Sequence, residues 1–223
     1  MAYTTIDDPT IYFNTVLYTG NGSTQSVTGF GHAPNLIWAK ERNNAKDHAW
    51  YDSVRGANQL LESNKTGAES TTSAGISSFD SDGFTTGDFF QTNDNGDTYV
   101  SWGWRAGGTA SSNSDGSITS SVSANTTSGF SVCSWTGNSG TIGHGLGVKP
   151  DMIIIKSRQT SNNWVVLHNS LTGGMDTNGI VLNDTAAETS GGSGMAEPTS
   201  SVFTITSGLA ANDNNIGYVF AGK

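Results

Sequence analysis

The sequence predicts an all-β chain made of two tandem antiparallel β-sandwich domains, jelly-roll-like and related by an internal duplication. Three observations carry this. Blocks of residues recur in the same order about 117 positions apart. Short apolar and alternating runs are separated by clusters of Gly, Asn, Asp and Ser. The one helix candidate, residues 57–64, lacks a long periodic apolar stripe.

The duplication reads along the chain as follows. Residues 13–21 answer to 130–138, and residues 33–42 to 149–158. Residues 51–56 answer to 168–173, and Leu60 and Leu61 align loosely with Val181 and Leu182. Phe84 pairs with Phe203, and Tyr99 with Tyr218. A unit of this length suits a whole domain rather than a solenoid repeat. The expected domains are 1–108, with an N-terminal arm, and 109–223, opened by a Gly/Ser/Thr-rich linker within 107–128. Residues 118–122 in that linker have strand character and sit where residues 4–6 sit in the first copy, so each copy is expected to begin with a short strand.

The strands follow in order. Phe13, Val16 and Tyr18 form one run, matched by Phe130, Val132 and Ser134. Leu36, Ile37 and Trp38, and residues 152–155, are apolar without alternation, which fits strands buried on both faces. Ala49, Trp50 and Tyr51 match residues 164–167. Phe84, residues 99–104, residues 202–205 and residues 218–220 complete the set. Asn95-Gly96, Asp82-Gly83 and Asp115-Gly116 mark turns.

Composition excludes several functions. Charged residues make up 13% of the 223-residue chain, about half the usual share. The formal net charge is −9, and the ten Lys and Arg are scattered. Such a chain does not displace counterions from phosphates, so neither nucleic-acid binding nor polybasic membrane docking is expected. The single cysteine, Cys133, excludes an intrachain disulfide and a thiolate zinc cluster. No N-terminal signal is read, and no run approaches the ~20 apolar residues of a membrane span, so membrane insertion is not expected.

Chemistry-bearing residues are few. His32, His48, His144 and His168 have no zinc-ligand spacing. Asp94 and Asp97 lie in a segment that resembles half of a calcium loop, but turn chemistry explains it more simply. The acids Glu41, Asp52, Glu62 and Asp88 have as counterparts Ser157, Asn169, Asn183 and, near the last, Gly208 in the second copy. Carboxyl groups are lost while the apolar frame is kept, which argues against paired-carboxylate glycoside hydrolysis. No nucleophile elbow, phosphate loop or dinucleotide fingerprint appears, and no cofactor is expected. Lys40 and Arg42 recur as Lys156 and Arg158, each pair on one face of a strand. They read as an anion or subunit contact, as a solvated face, or as an ion pair with an acid across the strand. Trp102 and Trp104 flank Gly103, so both rings share a face, either in a core or as a stacking platform for sugars.

Residues 3–9, Tyr12, Phe13, residues 17–22 and residues 34–40, with Gly129–Val132, residues 135–138 and residues 149–156, resemble a repeat domain common in predicted virion proteins of marine and freshwater bacteriophages, the cyanophage type included. The likeness covers nearly the whole chain. It implies a concanavalin-like or jelly-roll-like sandwich in a tail-fibre, adhesin or capsid-surface protein. It brings no activity and no functional residues. The expectation is therefore a non-enzymatic virion structural protein, assembled in the host cytoplasm, that decorates the capsid and contacts the major capsid protein or other virion proteins. Decoration ranks first because the chain starts at its own Met and lacks a fibrous segment. A tail-fibre adhesin for host glycans, working through loops such as 87–97, is the alternative, and a glycan-degrading enzyme is third. A homo-oligomer is left open. The binding candidates are Tyr3, Ile6, Asp7, Asp8 and Pro9 of the arm, with Trp102 and Trp104. Low surface hydrophobicity and net negative charge suit a particle component.

Overall fold

A computed structural model describes residues 6–190 and 195–222. The chain is all-β, with 42% of residues in strands, essentially no helix, and several open antiparallel sheets. Among the described residues no helix is long and apolar enough to cross a membrane.

Two large sheets form the centre. The inner N-sheet contains β1 (Phe13–Thr19), β3 (Leu36–Glu41), β4 (Ala49–Asp52), β5 (Gln59–Glu62), β6 (Ser70–Thr71) and β9 (Thr98–Trp104), in the order β1-β9-β3-β4-β5-β6. The inner C-sheet contains β10 (Ser111–Asn113), β11 (Ser120–Asn125), β12 (Phe130–Thr136), β14 (Met152–Ser157), β15 (Val165–His168), β16 (Ile180–Val181) and β18 (Asn214–Phe220), in the order β10-β11-β12-β18-β14-β15-β16. Each inner sheet carries a small outer sheet. On the N side this is β2 (Gln25–Thr28), β8 (Gly83–Thr86) and β7 (Ile76–Asp80). On the C side it is β13 (Gly140–Gly143) and β17 (Val202–Ile205).

Three apolar layers lie between the four sheets, and strand alternation fills them. Ile37, Ala39, Tyr51 and Leu60 face Val27, Ile76 and Phe84 of the outer N-sheet. Ile153, Ile155, Leu167 and Val219 face Ile142 and Phe203 of the outer C-sheet. The alternate residues Leu36, Trp50 and Leu61 meet Val132, Ile154, Trp164, Val166, Ile216 and Tyr218 in a central layer shared by both halves. This is why residues 36–38 and 152–155 are apolar at every position: both faces are covered. Burying each such side chain contributes roughly 1.5–3 kcal/mol.

Sequence and structure differ at identifiable places. Residues 57–64 contain β5 (Gln59–Glu62) between turns, not a helix. Asn58 takes a positive φ of 66°, and Leu60 and Leu61 point into different layers. The stretch 107–128 holds β10 and β11, which extend the inner C-sheet, and the strand starts at Ser120 rather than residue 118. Residues 4 and 5 lie outside the described residues, and Ile6 is not in a strand. Tyr99 and Tyr218 sit on different layers: Tyr99 stacks on Tyr18 at 5.2 Å, whereas Tyr218 belongs to the central cluster. The register explains this. Trp102 lies opposite Thr15 and Trp38, as Tyr218 lies opposite Val132 and Ile154. An odd shift in a strand turns a side chain to the other face. Gly103 stands between Trp102 and Trp104 because Phe30 presses on the outer face there; a Cβ would come within 2.5 Å of its ring.

Candidate functional site

Two features of the central layer bear on function: a buried polar interlock and an open aromatic face.

The interlock begins at the end of β4. Asp52 is fully buried and forms a salt bridge with Arg55 through Oδ2. Its Oδ1 accepts the amide N–H groups of Val54 (3.1 Å) and Arg55 (2.8 Å), and Tyr218 Oη donates to Oδ2 at 2.8 Å. Arg55 also donates to the carbonyls of Trp50 and Gln59 and to Glu69 Oε2 at 3.0 Å. Glu69 accepts two bonds from Arg158 of the C half, at 3.0 and 2.8 Å, and its amide donates to the Arg158 carbonyl at 2.7 Å. Two acids and two guanidiniums thus neutralise one another across the halves, as burial demands. Burial holds the Tyr218 phenol well above its ordinary range, and the Arg55 guanidinium is raised by Asp52 and Glu69 against the cost of burial. Trp164 Nε1 donates to the carbonyls of Glu62 (2.9 Å) and Lys65 (3.1 Å), so residues 62–66 sit over the C half.

Lys156 completes the contact. It is fully buried and donates to the carbonyls of Ser157 (2.9 Å), Thr66 (3.2 Å) and Thr160 (3.5 Å). Burial pushes its amine down from 10.5 to about 8, with Asp213 opposing. Its folded pKa lies below the unfolded one, so between pH 8 and 10.5 the unfolded chain binds the extra proton and stability rises with pH. Burial raises the Cys133 thiol from 9.0 to about 12 and the phenols of Tyr18, Tyr51, Tyr99 and Tyr218 above 10.0, so these groups act in the opposite sense from about pH 9 upward. In urea unfolding, wild-type stability is expected to climb from pH 8 to about 9 before these groups reverse it, and Lys156→Met to flatten that climb. A variant that climbs as steeply as wild type would assign the effect elsewhere.

The aromatic face lies on the inner N-sheet. Register places Phe13, Thr15, Leu17 and Thr19 of β1 beside Trp104, Trp102, Val100 and Thr98 of β9, and these beside Leu36, Trp38 and Lys40 of β3. All share the face of the central layer. Ring centroids step from Trp102 to Trp38 (5.3 Å), to Trp50 (5.1 Å) and to Trp164 (5.1 Å), so the row runs from the half-buried face into the core. Trp50 and Trp164 are buried, while Trp38, Trp102 and Trp104 are half-buried. Phe13, on Trp104 at 4.8 Å, is 39% exposed, and Leu17 is 61% exposed. Trp38 Nε1 donates to His48 Nδ1 at 2.9 Å, which leaves the ring proton on Nε2. Burial, followed by the nearby Lys40, lowers the His48 pKa and keeps this acceptor neutral.

The other sequence candidates fall as follows. Tyr3 lies outside the described residues. Ile6 and Pro9 line an apolar groove of about 220 Å³ with Phe13, Trp104, Phe130 and Phe220, at the seam of the two halves. Asp7 and Asp8 are exposed, and Asp8 caps a 3-10 turn at Pro9–Ile11 by accepting from the Thr10 amide at 2.9 Å. Asp97 accepts from Asn43 at 2.7 Å, and Asp94 accepts from the Asn95 amide at 3.0 Å. Gly96, at φ 83°, completes that turn. Among the described residues no three His, Cys, Asp or Glu side chains stand close enough to share a metal ion. Glu41 is buried beside Asn44, Glu62 meets Gln91 and Lys65, and Asp88 is exposed. Register aligns Asp52 with His168 and Glu62 with Val181, rather than with Asn169 and Asn183. The acid facing Arg158 is Glu69. Sequence reasoning missed it because the ion pair joins residues 89 positions apart.

The fold and these two features define an all-β protein of stacked open sheets whose most exposed large apolar side chain among the described residues, Leu17, lies on a sheet face. The chain belongs to the family described as a domain of unknown function (DUF7483), whose model matches residues 8–223. No curated protein and no solved structure matches it.

Proposed function

We propose that this chain is a non-catalytic structural protein of a bacteriophage particle, built from a duplicated β-sandwich unit and acting by docking, with capsid decoration as its role. The observation that carries the docking reading is the row of exposed Phe13 and Leu17 beside half-buried Val100 and Trp102 on one sheet face, which suits a protein partner better than a small substrate. The acid with the fullest set of partners, Asp52, is sealed by Arg55 and Tyr218, which supports a structural use of charge here. The particle setting is supported by the sequence resemblance and the acidic, weakly charged composition. Duplication is supported by the strand orders β1-β9-β3-β4-β5 and β12-β18-β14-β15-β16, each faced by an outer pair, β2-β8 and β13-β17.

Quantitative mass spectrometry of purified particles tests this. A simple ratio to the major capsid protein is expected. A few copies per particle would favour the tail-adhesin reading, and absence from particles would overturn both. Adhesion has one observation of its own: Phe90, in the 87–97 loop, is 46% exposed with the Lys46 ammonium 5.2 Å from its ring. A glycan array with Phe90→Ala as control tests that reading.

A further inference from the structure

Contact between the two halves combines an apolar layer to which both contribute, Trp50 and Leu61 from one and Val166 and Ile180 from the other, with a polar rim that runs in one direction. At that rim the N half supplies an edge, made of residues 62–66 and Glu69. The C half supplies a face, made of Ile216, Tyr218, Lys156 and Arg158. On the duplicated-unit reading each of these positions has a counterpart in the other half, and the register identifies it.

The Arg42 amide donates to the Thr98 carbonyl at 2.7 Å, and the Arg158 amide to the Asn214 carbonyl at 2.8 Å. Leu36 lies opposite Trp104, and Met152 opposite Phe220. Lys40, Arg42, Val100 and Trp102 therefore stand where Lys156, Arg158, Ile216 and Tyr218 stand. On the edge, Leu60 pairs with Ser70, and Gly179 bridges to Thr189, so Glu188 stands where Glu69 stands.

The counterparts lack the contacts their equivalents make. Ile216 and Tyr218 are fully buried, whereas Val100 and Trp102 are half-exposed. Lys156 reaches Thr66 of the other half, whereas Lys40 donates to the carbonyls of its own neighbours Glu41 and Asn44. Glu69 binds two arginines, whereas Glu188, among the described residues, accepts only from Thr172. Arg42 is exposed and, among the described residues, has no side-chain partner. The N half thus presents an uncovered cationic, aromatic face, and the C half an acidic edge of Asp184 and Glu188.

We propose that these two surfaces meet between chains: the 181–189 edge of one copy seats on the aromatic face of the next, with Glu188 paired to Arg42. The occupant is a second copy of this chain because the polar rim of the contact repeats the Arg158–Glu69 pair already made inside it, and because the charges are complementary. This rests on the duplicated-unit part of the function proposed above and names the partner of its docking face. The contact joins two different surfaces, so it is heterologous and propagates head to tail into a ring or a filament.

Sedimentation velocity on the full chain over rising concentration tests it, with charge reversals Arg42→Glu and Glu188→Arg. Wild type is expected to grow past a dimer as concentration rises. Each single variant places like charges together and is expected to remain monomeric. An equimolar mixture of the two variants restores an Arg–Glu pair at every junction and is expected to regain assembly. Both residues lie at the surface, and far-UV circular dichroism checks that the variants fold. A wild type that stays monomeric, variants that assemble like wild type, or a mixture that fails to recover would each overturn the proposal. A protein absent from particles that still shows the rescue would fail the virion reading alone. One present in particles but monomeric would fail this inference alone.

Discussion

Asp52→Asn is expected to destabilise the whole chain by about 3–5 kcal/mol, the cost of taking the nearer of two counter-charges from a fully buried guanidinium. The Arg55 side chain is fully enclosed, and Asp52 is its nearest counter-charge. Glu69 cannot replace it, because both of its oxygens are already engaged with Arg158 and Arg55. An asparagine keeps an oxygen for the Val54 and Arg55 amides, but it presents no charge to the guanidinium and loses the strong acceptor for Tyr218 Oη. Urea unfolding reads the loss directly. The double variant Asp52→Asn with Arg55→Met removes the under-compensated charge and is expected to recover a large part of it. If the single variant loses less than about 1 kcal/mol, within the range of an exposed ion pair, the interlock is not the buried network described above.

The strands that sequence revealed are those whose residues are covered on both sides. Leu36, Ile37 and Trp38, and residues 152–155, advertise themselves because alternate residues enter different apolar layers. Strands such as β2 (Gln25–Thr28) and β13 (Gly140–Gly143) escaped notice. Each is short and contributes one fully apolar side chain inward, Val27 or Ile142, while its partner strand supplies the hydrogen bonds. β5 imitated a helix because Leu60 and Leu61 are adjacent and flanked by polar residues. Only the two layers on either side of it give both leucines a purpose.

The candidate site was half legible. The alternation of Trp102 and Trp104 around Gly103 correctly placed both rings on one face, yet nothing local says whether that face is covered. Trp102 and Tyr218 occupy matching places, and only the second is sealed. The shared Lys and Arg of β3 and β14 were visible as a pattern. Their divergent fates, Arg158 bound to Glu69 and Arg42 exposed, depend on chain packing that no sequence window contains.

Trp50→Ala bears on how independent the two halves are. Trp50 is buried and touches rings of both: Trp38 at 5.1 Å in its own half, and Trp164 at 5.1 Å and Tyr218 at 4.9 Å in the other. Removing the indole costs the transfer of the ring and leaves a cavity, about 3–5 kcal/mol together. For a chain of this length that corresponds to a melting shift of roughly 10 °C. The form of the change matters more than its size. Two tandem domains with separate cores would melt in two steps, and a first-half substitution would move only one. A shared central layer ties Leu36 and Leu61 to Val132, Ile154 and Ile216, so neither half can open without stranding the other's apolar face. Calorimetry of wild type is therefore expected to show one transition whose calorimetric and van't Hoff enthalpies agree, and Trp50→Ala to move that single transition as a whole. A second, unmoved transition would mean that the C half keeps its stability from the outer C-sheet layer alone. In that case the central layer is an interface between finished domains rather than part of a common core.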